Sequence, residues 1–192
     1  MVGPLMTRLL KTAPVVALML FLAATAAASP KTLLTALAKA YPDSQLPSGF
    51  SSAKVSRANP SSAAVRHHAV GEVAIAVKGP DPGDFIFYVI FSKPAEAGID
   101  LAEARLGGTS HRVGKVPGYK LPSSWYTGSD TSKNAQGKTV THGLTGMFVA
   151  DGSVLVAVVT DSTHKGSGNV PAARALLKSA LARLHRVEAK LR

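Results

Sequence analysis

The chain has no cysteine. Disulfides, thiol nucleophiles, cysteine-ligated zinc and iron–sulfur clusters are therefore excluded. Acidic residues are scarce, with 11 Asp and Glu against 22 Lys and Arg in 192 residues. Trp125 is the single tryptophan, and no long apolar run follows residue 28. Several motifs are also missing. No His-x-x-x-His or His-Glu-x-x-His spacing occurs, nor a Gly-x-Ser-x-Gly elbow, nor a Walker or dinucleotide glycine pattern. His67 and His68 are adjacent, and on a strand they would point to opposite faces. His142 and His185 read as surface residues of a strand and a helix. Ser123, Ser124 and Ser129 sit in a stretch that reads as a loop, a poor scaffold for a fixed nucleophile. The sequence assigns no catalytic residue, metal ligand or cofactor.

What is present begins with an export signal. Arg8 and Lys11 form a basic start without acids, and residues 13–28 are an uncharged apolar run. Its 16 residues fall short of the roughly 20 that a helix needs to span a bilayer. Ala26-Ala27-Ala28 fits a small-x-small cleavage pattern, with Ala24-Thr25-Ala26 as the alternative. The expected organisation is a cleavable signal over 1–28 and one domain over 29–192. The Ala-rich signal points to a bacterial protein, periplasmic or extracellular after cleavage near Ala28.

The stretch Asp84-Phe-Ile-Phe-Tyr-Val-Ile-Phe-Ser92 holds four of the ten Phe and Tyr residues. Phe85, Phe87, Val89 and Phe91 share one face of a strand, and Ile86, Tyr88 and Ile90 share the other. Both faces are apolar, which predicts an interior strand covered on both sides. Residues 72–78 alternate as a half-buried strand and pair with it across the turn 79–83. Val154 to Val159 repeats the two-faced pattern after Asp151-Gly152, a hairpin turn signal. Thr139 to Ala150 reads as its partner, with Gly143 and Gly146 expected to mark bulges. A short strand is expected near Ala53 to Arg57 within an otherwise irregular stretch, 43–70.

Three helices are expected. Ser29-Pro30 caps and starts the first, which Pro42 stops. Pro94 starts the middle one, running to Leu106. Asn169 and Pro171 start the last, in which Leu176, Leu177, Ala180, Leu181, Leu184 and Val187 form an apolar stripe. The fold class is α+β, a single domain with a mainly antiparallel sheet and helices packed on it. This order of elements resembles the PsbP-type sandwich of secreted proteins, which implies a fold and no activity.

The positive charge is concentrated. After residue 28 there are 20 basic and 11 acidic residues, a net charge of +9. Residues 105–138 hold six basic residues against Asp130, and residues 165–192 hold seven against Glu188. Such clusters attract anions. Outside the cytoplasm the expected partners are lipid headgroups, wall polymers, lipopolysaccharide or an envelope protein, rather than nucleic acid. The residues expected to make anionic contact are Lys120, Trp125 and Tyr126 in an irregular 107–138 loop, with Arg174, Lys178 and Arg183 on the last helix. The expected function is a non-enzymatic, exported binding domain. The alternative is a small, basic, secreted hydrolase or nuclease. Gly166-Ser167-Gly168 could also aim backbone amides at an anion, or be a plain loop.

Overall fold

The computed structural model describes residues 28–80, 83–95, 98–99, 109–133, 136–162 and 168–192. The elements are α1 (Pro30–Leu37), a 3-10 turn (Asp43–Gln45), β1 (Ser51–Ala58), α2 (Ser62–Arg66), β2 (Ala69–Lys78) and β3 (Asp84–Phe91). There follow β4 (Thr109–Gly114), β5 (Ser123–Lys133), β6 (Thr139–Asp151), β7 (Val154–Ser162) and α3 (Val170–Leu191). The strands form one seven-stranded sheet in the order β1-β2-β3-β7-β6-β5-β4. Every neighbouring pair is antiparallel. The α+β expectation therefore holds.

The two apolar-faced strands, β3 and β7, lie side by side inside the sheet. One face packs under α1 and α3. Val73, Ile75, Ile86, Tyr88, Ile90, Val156 and Val158 meet Leu33, Leu37, Leu176, Leu177, Ala180 and Leu184 there. On the other face Val89, Phe91, Phe148, Leu155 and Ala157 gather with Ala64 of α2 and with Ala95 and Ile99. Burying side chains of this size contributes about 1.5–3 kcal/mol each, so β3 and β7 anchor both layers. Phe85 departs from the pattern and stays 37% exposed.

Local chemistry sets the boundaries. Ser29 Oγ accepts the Thr32 amide at 3.2 Å, and Asn169 Oδ1 accepts that of Ala172 at 3.1 Å. Each cap satisfies one orphan amide of a helix that opens with proline. Gly152, at φ +55°, takes the first position of the two-residue turn between β6 and β7. The middle helix expected over Pro94 to Leu106 lies largely outside the described residues.

Two expectations are corrected. Residues 107–138 are not an irregular loop, because β4 and β5 occupy much of the stretch. β5 runs for 11 residues and pairs with β6 from Ser123↔Val149 to Lys133↔Thr139. Gly143 and Gly146 mark no bulge either, since β6 keeps its register with both neighbours across them. Gly146 stands opposite Tyr126, whose ring meets Phe148 edge-on with centroids 5.8 Å apart. A glycine opposite an aromatic residue leaves room for the ring to lie over the strand. The 43–70 stretch is also more ordered than expected, holding β1 and α2.

Candidate functional site

The six residues expected to contact anions do not form one surface. Tyr126 is buried, 2% exposed, on the sheet face away from α1 and α3. Trp125 points to the opposite face and packs half-buried beneath α3, with the Arg174 guanidinium 5.8 Å from its ring centroid. Only this pair is brought together. Lys120, Arg174 and Lys178 are exposed.

Arg183 is a correction, because it is 4% exposed and points inward. Its guanidinium donates to the carbonyls of Leu37 at 3.1 Å, Lys39 at 3.0 Å and Ala40 at 3.3 Å. It also lies 4.3 Å from the Tyr41 ring centroid. The end of α1 leaves carbonyls without helical partners, and a cation there satisfies them and suits the helix dipole. Arg183 therefore fastens α1 to α3. Tyr41 and Ser179 share a hydrogen bond of 2.7 Å, and Ser179 donates in turn to the Gln45 carbonyl. Tyr88 donates to the Ala180 carbonyl at 3.0 Å from below. Burial holds the Tyr88 phenol well above its usual range, and that of Tyr41 above its own, so both remain donors at neutral pH.

This joint opens outward into a groove of about 380 Å³ between the C-terminal ends of α1 and α3. Lys39, Arg186 and Lys190 supply three exposed cations with the buried Arg183 behind them, and among the described residues no carboxylate lines it. Ala36, Ala40, Pro42, Val187 and Leu191 supply apolar wall. Arg186 is held by a 3.1 Å hydrogen bond to Gln45 Oε1. A second hollow adjoins along α1, sharing Ala36, Lys39 and Leu191 and adding Lys31. Glu188, the one acid of α3, belongs to a different hollow with Ala28, Leu33, Ser153 and Arg192. Its carboxyl is pushed above the usual range, first by burial and then by Asp151.

Sequence reasoning placed Arg186 and Lys190 off the apolar stripe but missed their convergence with Lys31 and Lys39. The two helices are more than 130 residues apart in the chain (Arg183 and Lys39 are 144 apart) and meet only in the fold. Gly168 also has a structural task. A Cβ there would lie 2.2 Å from the Thr145 amide nitrogen, so the start of α3 approaches β6 as only glycine can. Residues 163–167, including most of the glycine-rich stretch, lie outside the described residues.

A polar row crosses the end of the sheet. Ser132 Oγ is 3.1 Å from His142 Nε2, and His142 Nδ1 is 3.5 Å from Asp161 Oδ1. The three side chains come from neighbouring strands. Ser123 and Ser124 instead are buried in β5, and Ser123 Oγ accepts the Val116 amide. Among the described residues no three His, Asp or Glu come close enough to hold a metal ion. No helix among them is long and apolar enough to cross a membrane. Comparison with protein-family models, curated proteins and solved structures found no match.

Proposed function

We propose that this chain is an exported, non-enzymatic bacterial domain that binds an anionic envelope component through the α1–α3 groove. The observation that carries the reading is the convergence of Lys39, Arg186 and Lys190, backed by the buried Arg183, in one concave site that no carboxylate lines among the described residues. Cations that share a concave site reinforce one another's field and favour an anion over water. Arg186 is held by a hydrogen bond, so little of its side-chain entropy is lost when an anion docks. Export rests on the basic start, the apolar run and the small-residue cleavage pattern of residues 1–28. The test is calorimetric titration with polyphosphate. Binding should occur and should fall at least tenfold in Arg186→Gln/Lys190→Gln. Lys54→Gln/Lys133→Gln, which removes the same charge from β1 and β5, should bind as the parent does.

The Ser132–His142–Asp161 row favours a second reading, a serine hydrolase. Ser132 would attack as His142 takes its proton and Asp161 orients the ring. The groove carries the first reading because Ser132 sits in a regular strand, paired with Val140, rather than on a strained turn. Intact-mass labelling with a fluorophosphonate decides it. Label lost in Ser132→Ala and His142→Ala would establish the hydrolase, and an unlabelled protein would dismiss it.

A further inference from the structure

We infer that the occupant of the groove is the surface of a bilayer containing acidic phospholipid, on which the α1–α3 end of the molecule lies. This rests on the anion-binding reading above and deepens it. A soluble polyanion would need only cations. The groove instead mixes them with apolar side chains: Val187 and Leu191 of α3 line it together with Arg186, Lys190 and Lys39. Leu191 belongs to both adjoining hollows and is only partly covered by the core.

Lys31 extends the cationic lining along α1, and Leu191 of α3 lines the same hollow. A rim of Lys and Arg around a seam of aliphatic side chains matches a headgroup layer. There, phosphates meet the cations and the acyl boundary meets the seam. Glu188, the acid of α3, is turned into another hollow, so it does not oppose the contact. The apolar run 13–28 ends immediately before Ser29, the cap of α1.

The experiment is co-sedimentation of the chain lacking residues 1–28 with vesicles of equal parts phosphatidylglycerol and phosphatidylcholine. Pure phosphatidylcholine vesicles serve as the neutral control. Binding is expected on the acidic vesicles alone. Each cation removed should weaken it about fivefold, equivalent to about 1 kcal/mol per charge near an acidic surface. Arg186→Gln/Lys190→Gln should therefore lose about 25-fold, and Lys54→Gln/Lys133→Gln should lose little. Leu191→Asn tests the seam, since it should weaken vesicle binding and leave polyphosphate binding unchanged. Polyphosphate binding without vesicle binding would overturn the bilayer and keep the anion site. Equal losses in both charge pairs would overturn the groove as the contact. No binding to either probe would overturn the inference and the function together.

Discussion

Arg183 is a cation in a position that a helical pattern reserves for leucine. Its neighbours on the buried face of α3 are Leu176, Ala180 and Leu184. Reading every cation as solvent-facing put it on the exposed side, and no sequence feature marked the carbonyls that receive it. Those carbonyls exist only where α1 ends against α3. Replacing Arg183 by Met keeps the stem and removes the donors, leaving buried acceptors unsatisfied. The expected loss is about 2–3 kcal/mol, a fall in Tm of about 4–12 °C. A thermal melt of Arg183→Met unchanged from the parent would show that the fastening contributes nothing. The caps were legible because Ser29 and Asn169 act on amides three residues away, within reach of local sequence.

Elements were legible in proportion to their apolar periodicity. β2, β3, β7 and α3 announce themselves, since a two-faced or one-striped apolar pattern leaves few arrangements that bury it. β5 does not. Its sequence Ser-Ser-Trp-Tyr-Thr-Gly-Ser-Asp-Thr-Ser-Lys is small, polar and turn-like, and it lies toward the edge of the sheet. What makes it a strand is pairing with β4 on one side and β6 on the other. Strand preference depends on neighbours more than on the residue itself. The consequence is measurable by hydrogen exchange. Amides from Trp125 to Ser129 held in either ladder should be slow, approaching those of β6, whereas a loop would exchange them quickly. Fast exchange throughout that stretch would contradict the sheet as described.

At the scale of the molecule, the excess of positive charge was legible and its focus was not. Summing along the chain marked residues 105–138 and 165–192, and that count gave equal weight to cations that the fold treats differently. Arg174 stacks on Trp125, Arg183 turns inward, and Arg186 and Lys190 join Lys39 and Lys31 from the opposite end of the chain. Net charge predicts attraction to any anion, whereas a focused site predicts a place. At physiological salt exposed charges are screened beyond about 8 Å, so binding by net charge alone should fade before binding in the groove does. The most direct measurement is the polyphosphate titration at physiological salt, run on the parent and on the two charge-matched pairs. Binding is expected, weakened at least tenfold in Arg186→Gln/Lys190→Gln and retained in Lys54→Gln/Lys133→Gln. Equal weakening in the two pairs, or no binding by the parent, would contradict it.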